Sequence, residues 1–257
     1  MSFSSRSYVN RYIPSSRFPA GLKWLLIVNL GIFILGFILQ NSGAGLFLQN
    51  FVLVPAQVVQ TFAVWQLVTY MFLHLGIGHI LWNMLALWMF GAELERLWGT
   101  ARFLRFYFLC GIFAALTVIA FSYMFGNVYS RTMGSSGAVL AVLMAYALMF
   151  PDQTLLFGFI IPMKSKYFVM IVGAIVFLQS YSATVGGEKG SVAVLAHLGG
   201  LVAGYLFIRG KKLPGRVRQP VLAGLKEWKM RRAKKKFEVY LRKRDSHQDS
   251  NRDRWVH

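Results

Sequence analysis

The stretch from Phe106 to Phe125 contains 20 consecutive residues without a charged side chain. At about 1.5 Å of rise per residue, a helix of this length covers the ~30 Å hydrocarbon core of a bilayer. A second uncharged run, Trp24 to Leu39, directly follows Lys23. Charged residues make up only 14% of the chain, whereas soluble domains average about 25%. The sequence therefore predicts an all-α, multi-pass membrane protein.

Six apolar segments are candidates for membrane-spanning helices: residues 24–39, 79–90, 106–125, 136–151, 167–178 and 192–208. Residues 40–78 lack Lys, Arg, Asp and Glu, which predicts a first loop that lies in the membrane interface and packs on the bundle. The apolar stretch 155–163 is interpreted as a re-entrant or interfacial piece. The predicted organisation is an N-terminal segment (1–21), a six-helix membrane domain (22–209) and a basic tail (210–257).

Basic residues are concentrated in alternate connections: the N-terminal segment, residues 93–105, residues 152–166 and the tail, which holds 16 of the 28 Lys and Arg from residue 211 onward. The positive-inside rule then places both termini in the cytoplasm. No small-residue cleavage site follows the first apolar run, so we expect an uncleaved anchor. The small size and the lack of a recognisable transit peptide favour a bacterial inner membrane.

The basic tail is expected to meet anionic lipid, not nucleic acid. Two interpretations stay open for it: a surface helix with Val221, Leu225 and Trp228 on one face, or a solvated basic tail. The oligomeric state is left open. Cys110 is the single cysteine and can form no internal disulfide.

Four polar residues are predicted to lie at one depth in the membrane. Counted from the inner end of each helix, His79 lies about 21 Å, Ser136 about 24 Å and His197 about 18 Å above the inner boundary. Asn83 lies one turn from His79 on the same helix face. Ionisable groups inside a membrane are costly and are functional candidates by default.

This set of residues suits acyl transfer. A serine hydroxyl such as Ser136 needs a base to take its proton, and His197 can be that base. No Asp or Glu is expected at this depth, which favours a Ser-His dyad. Backbone N–H groups at the start of the Ser136 helix, with the His79 and Asn83 side chains, can stabilise the oxyanion.

Each motif also has a plainer explanation. The G-x-S-G turn at Gly134–Gly137 could simply cap a helix, and His197 could be a packing residue. His74 could hold a loop by hydrogen bonding, or could complete a three-histidine zinc site with His79 and His197. The zinc site would leave the serine and glycines unexplained, so no metal or cofactor is predicted. Gly200 and Gly204 form a G-x-x-x-G face that indicates close helix packing.

Taken together, these residues resemble the rhomboid family of intramembrane serine proteases. The matching motifs are H-x-x-x-x-H-x-x-x-N at His74, His79 and Asn83, G-x-S-G at Gly134–Gly137, and A-H-x-x-G-x-x-x-G from Ala196 to Gly204. Gly91, Glu95 and Gly99 also fit the family pattern. The resemblance covers residues from about 20 to 209, and the order and spacing of its motifs are more specific than any one of them.

The resemblance implies a six-helix bundle and cleavage of membrane-anchored substrates in or near their transmembrane segments. Ser136 would be the nucleophile and His197 the base, with the oxyanion held by His79, Asn83 and the Ser136 N–H. His74 would be structural or help to retain water in a cavity above a short fourth helix. The sequence departs from the family at Gln66, where arginine is frequent.

A second departure is Leu140, where an aromatic residue often lies beside the catalytic histidine.

An alternative function is a catalytically inactive rhomboid-like scaffold that binds client membrane proteins, although the retention of Ser136 and His197 argues against it. A transporter is a third hypothesis. The lack of acidic residues in the spans and of repeat symmetry weighs against transport.

Overall fold

A computed structural model of the protein describes residues 18–41, 44–157, 161–185 and 191–210, which belong to one compact unit. The predictions for the basic tail, and for most of the N-terminal segment, fall outside these ranges. Eight α-helices and one β-hairpin form the described fold. The helices are α1 (Ala20–Asn41), α2 (Pro55–Gln60), α3 (Gln66–Thr69), α4 (Ile77–Trp98), α5 (Thr100–Phe125), α6 (Ser136–Met149), α7 (Ser165–Val185) and α8 (Ser191–Gly210).

Six of these helices coincide in position with the six predicted apolar segments. Three are long and apolar enough to cross a bilayer: α1 over Ala20–Leu39, α4 and α5. The helix α6 and the described apolar parts of α7 and α8, Ser165–Leu178 and Leu195–Gly210, are shorter. Six crossings therefore stay a prediction, whereas a mostly helical protein with membrane-length apolar helices is confirmed.

The surface of α1 is what a lipid-facing helix requires. Large apolar side chains such as Trp24, Leu30 and Phe37 are exposed on it. An apolar surface of this extent is rare on a monomer in water and marks a membrane or protein contact. The described helices therefore form an integral membrane protein.

The C-terminal end of α4 holds the start of α1. The Glu95 side chain is buried and accepts hydrogen bonds from the backbone N–H groups of Gly21, at 2.8 Å, and Leu22, at 2.7 Å. The Thr100 hydroxyl donates to the same carboxylate at 2.6 Å. Because the first N–H groups of a helix lack partners within the helix, this carboxylate caps α1 and interacts favourably with its dipole.

The first loop is ordered and is tied to the connection between α5 and α6. It contains a 3-10 helix (Ala44–Phe51), the short helices α2 and α3, and a second 3-10 helix (Tyr70–Phe72). Leu53 and Thr132 form an antiparallel bridge with two N–H···O bonds of 3.0 Å. The loop thereby fixes the segment that leads into α6. Its predicted position in the membrane interface stays a prediction.

The buried Gln66 side chain anchors this loop. Its amide nitrogen donates to the side-chain oxygen of Gln57 at 2.6 Å and to the carbonyl of Asn50 at 3.2 Å. Its oxygen accepts from the Val54 N–H at 3.0 Å. Glutamine at this position, where arginine is frequent in the family that the sequence resembles, therefore anchors the loop by hydrogen bonds.

The described parts of the stretch predicted to be re-entrant or interfacial, residues 155–157 and 161–163, lie in two paired β-strands, and their place in the membrane stays a prediction. The strands β1 (Thr154–Phe157) and β2 (Ile161–Lys164) pair antiparallel, with Thr154 opposite Lys164. The backbone N–H and C=O groups of the two strands form hydrogen bonds with each other, so these residues are paired without forming a helix. Beside it, a hydrogen bond and charge from Lys166, together with Lys164, hold the pKa of the exposed Asp152 below its usual range.

Candidate active site

Two residues 61 positions apart in sequence meet in a hydrogen bond. Ser136 is the first residue of α6, and His197 lies within α8. The Ser136 Oγ atom is 2.6 Å from His197 Nε2. Both side chains are half-buried. The distance lies within the range at which a histidine can take a proton from a serine hydroxyl.

Glycines bring these two residues together. A Cβ atom added to Gly200 would lie 2.0 Å from the Gly137 carbonyl oxygen, and one added to Gly137 would lie 3.0 Å from the Ala196 carbonyl oxygen. One α8 turn further on, a Cβ at Gly204 would lie 2.7 Å from the Ala141 carbonyl oxygen. Without side chains at these positions the α6 and α8 backbones can touch. The predicted close packing of the G-x-x-x-G face is what the structure shows.

The turn before Ser136 requires glycine. Gly134 has a φ of +116°, a conformation that residues with a Cβ rarely adopt. A Cβ there would also lie 2.6 Å from Cε1 and 2.7 Å from Nε2 of His79. The Gly134 N–H donates to the Tyr70 carbonyl at 2.9 Å, which attaches the turn to the first loop. The His79 ring therefore lies against the backbone two residues before Ser136.

The start of α6 presents free backbone donors. The N–H of Val139 makes the first helical hydrogen bond, to the Ser135 carbonyl at 2.9 Å. The N–H groups of Ser136 and Gly137 precede that bond, so they have no partner within the helix. The positive end of the helix dipole adds to their field. This arrangement can stabilise negative charge that develops near Ser136.

The remaining predicted site residues lie around this turn. His74 Nε2 is 3.4 Å from the Ser135 Oγ atom, and the His74 and His79 rings meet edge to face with centroids 5.1 Å apart. Asn83 is buried, and its amide nitrogen donates to the His79 carbonyl at 3.0 Å. The structure thus brings Ser136, His197, His79 and His74 to one region, with the Asn83 amide occupied by its own helix.

Within the described ranges, no group of three or more His, Cys, Asp or Glu side chains is placed to hold a metal ion. The three-histidine zinc arrangement is therefore not formed there. His74 and His79 are close, and they also contact the Ser135 hydroxyl and the Gly134 backbone, which are not zinc ligands.

Two positioning residues were missed by sequence reasoning. The buried Tyr70 hydroxyl donates to the Gly111 carbonyl at 2.7 Å, so the residue whose carbonyl holds Gly134 is itself fixed to α5. Thr117 packs against Gly199, where a Cβ would lie 2.6 Å from its hydroxyl oxygen. Neither residue belongs to a motif, and only their packing reveals them.

The sequence is similar to that of known rhomboid proteins. A family model described as the Rhomboid domain matches residues 61–210. The chain is 28% identical over 152 residues to the rhomboid protease GluP of Bacillus subtilis (strain 168), which is 58% of this chain and 26% of that protein.

Two further relatives extend over more of the chain. The rhomboid protease GlpG of Yersinia pseudotuberculosis is 25% identical over 195 residues, 76% of this chain and 64% of that protein. The mitochondrial RHOMBOID-like protein 12 of Arabidopsis thaliana is 28% identical over 190 residues, 68% of this chain and 54% of that protein. The chain thus spans less than two thirds of each of these relatives. Because the domain match covers more than half of it, the chain belongs to the rhomboid family.

Proposed function

We propose that the protein is an intramembrane serine endopeptidase that cleaves membrane-anchored proteins with a dyad of Ser136 and His197. The observation that carries the proposal is the 2.6 Å contact between Ser136 Oγ and His197 Nε2. The relatives named as rhomboid proteases support the same activity. An inactive scaffold would have no use for this contact beside free backbone donors.

The reaction begins with proton transfer. His197 Nε2 takes the proton of Ser136, and Oγ forms a bond to the carbonyl carbon of the scissile peptide. The electron pair of the C=O bond moves to its oxygen. The protonated His197 then gives its proton to the peptide nitrogen as the C–N bond breaks, which leaves an acyl-enzyme. Water attacks the ester with His197 again as the base, and the acid product leaves Ser136.

The oxyanion is stabilised by donors near the start of α6. The N–H of Ser136 is the first donor, and the His79 side chain, which lies against Gly134, is the second. Asn83 becomes a third donor when its amide leaves the His79 carbonyl that it now contacts. His74 has a structural or water-retaining role.

The substrate must present an extended peptide bond. In a helix the peptide groups are already paired and the backbone is shielded by side chains, so a transmembrane substrate has to unwind locally. Because α6 has only 14 residues, we infer that its first residue lies below the membrane surface that a full span would reach. We infer six crossings with both termini in the cytoplasm of a bacterial inner membrane.

A serine-directed fluorophosphonate probe tests the proposal, because it labels only a serine that a neighbouring base has activated. The purified full chain should be labelled, and Ser136→Ala should abolish the label. The adjacent Ser135→Ala is the matched control, and it should keep the label. Absence of labelling on the folded wild-type chain, or equal labelling of Ser136→Ala, would favour the scaffold.

A further inference from the structure

A large apolar cavity lies away from the reacting atoms. It has a volume of about 1010 Å³ and lies between the C-terminal half of α1, the 3-10 helix Ala44–Phe51, residues 72–77 and residues 131–133. Its walls are mainly aliphatic and aromatic side chains, including Ile34, Phe37, Leu46, Phe72 and Ile77. We call it the outer-loop cavity. Neither Ser136 nor His197 lines it, whereas His74, at the edge of the candidate site, does.

The outer-loop cavity has a polar end. A second cavity of about 330 Å³ shares Leu46, Gln49 and Arg131 with it and adds Gln57 and Tyr129 to its lining. Arg131 is therefore the cation between an apolar chamber and a polar one. Together, the apolar and the polar cavity match a ligand that has an apolar chain and a polar head.

The charge of Arg131 lacks a counter-ion among the described residues. No ion pair involves its guanidinium there. In sequence, neither residues 40–78 nor residues 126–135 contain an Asp or Glu. The segments that line both cavities therefore leave room for an external anion. A guanidinium with five N–H donors favours phosphate, which it can bind with two parallel hydrogen bonds.

We propose that these two cavities bind one anionic phospholipid, with its phosphate against Arg131 and an acyl chain in the outer-loop cavity. The larger volume is at the upper end of the ~300–1,000 Å³ typical of ligand sites, enough for a long apolar chain. Exposed Leu46 and Ile77 side chains at the cavity fit a lipid chain and not water. A transmembrane helix in the same place would cover the apolar walls but leave Arg131 without an anion.

Photo-crosslinking of the full chain tests this site. The protein is reconstituted in phosphatidylcholine vesicles that contain a small fraction of phosphatidylglycerol with a diazirine on one acyl chain. After irradiation, the labelled peptides are identified by mass spectrometry. We expect the label on the 3-10 helix Ala44–Phe51 and on residues 72–77, and we expect unlabelled phosphatidylglycerol to compete better than further phosphatidylcholine.

Variants assign the phosphate contact. Arg131→Gln should lower the labelling of these two segments by about tenfold, the change expected from the loss of one charge-assisted contact worth about 1.4 kcal/mol. Arg131→Lys should restore most of the labelling. Arg105→Gln is the matched control, since Arg105 is an exposed α5 arginine outside both cavities, and it should label like wild type.

Three results would overturn the proposal. The first is ordinary bilayer contact. It would appear as labelling that is spread evenly over the exposed face of α5, or as labelling that Arg131→Gln leaves unchanged. The second is competition by inorganic phosphate together with no acyl-chain labelling, which would indicate an anion site only. The third is complete displacement of the lipid by a transmembrane reporter peptide, which would assign the outer-loop cavity to substrate.

Discussion

Replacing Gly200 by alanine should separate the two helices that carry the proposed dyad. The added Cβ would lie 2.0 Å from the Gly137 carbonyl oxygen, whereas an ordinary contact begins at 3.4 Å. The backbones must therefore move apart by up to about 1.4 Å. The clash is with backbone atoms, which cannot rotate away as the end of a side chain can. The substituted residue lies three positions after His197, and the carbonyl that it would meet belongs to the residue after Ser136.

The expected effects on stability and activity differ in size. Alanine is worth about 1 kcal/mol more than glycine in a helix, while overpacking costs about 1–3 kcal/mol, so the net loss of stability is up to about 2 kcal/mol. A misplacement of about 1 Å in an active site can cost about 100-fold in rate. Gly200→Ala should therefore leave a folded protein whose dyad reacts about 100-fold more slowly.

The assay is the rate of fluorophosphonate labelling in detergent, measured beside thermal unfolding of the same samples. Gly173→Ala is the matched control, because a Cβ in that α7 position would meet only Leu201 Cδ1, at 4.0 Å. It should label at the wild-type rate. Gly204→Ala, with a closest approach of 2.7 Å, should have an intermediate effect. Labelling of folded Gly200→Ala at the wild-type rate would refute the claim that glycine contacts hold the dyad together.

Two further predictions concern the anchors of the fold. Glu95→Gln keeps the shape of the side chain but removes the charge that caps α1, so it should lower the free energy of unfolding by about 1–2 kcal/mol. Glu93→Gln is the control, because Glu93 lies in a partly exposed ion pair, and it should not lower the free energy of unfolding in this way. Equal unfolding curves for the two variants would contradict the capping role of Glu95. Gln66→Leu leaves the Val54 N–H unpaired, so limited proteolysis should cut the first loop faster at a cost of about 1–3 kcal/mol. The exposed Gln60→Leu is the control, and identical digestion of both variants would contradict the anchor.

The pairing of Ser136 with His197 could be predicted because it depends on simple counting. Helices have a fixed rise, and charged residues mark the membrane boundary, so residue offsets become depths. The predicted depths of these two residues are comparable, and the structure brings their side chains into contact. The positions of α1 and of α4 to α8 followed from the same apolar runs.

Other features could not be obtained this way. The first loop has no charged residues and no long periodic run, so α2 has little sequence signal beyond Pro55 at its start, and the hydrogen-bond partners of Gln66 have none. The strands β1 and β2 have four residues each, too short to distinguish from other apolar pieces. Glu95 fitted a family pattern, but its contact with α1 joins residues more than 70 positions apart, which only the packed structure reveals.

The measurement that tests the central claim most directly is cleavage of a reporter transmembrane segment in proteoliposomes. Wild type, Ser136→Ala and His197→Ala are compared with Ser135→Ala, each checked for folding by thermal unfolding. The dyad predicts cleavage by wild type and Ser135→Ala, and none by Ser136→Ala or His197→Ala. Cleavage that persists in folded Ser136→Ala would contradict the proposed mechanism.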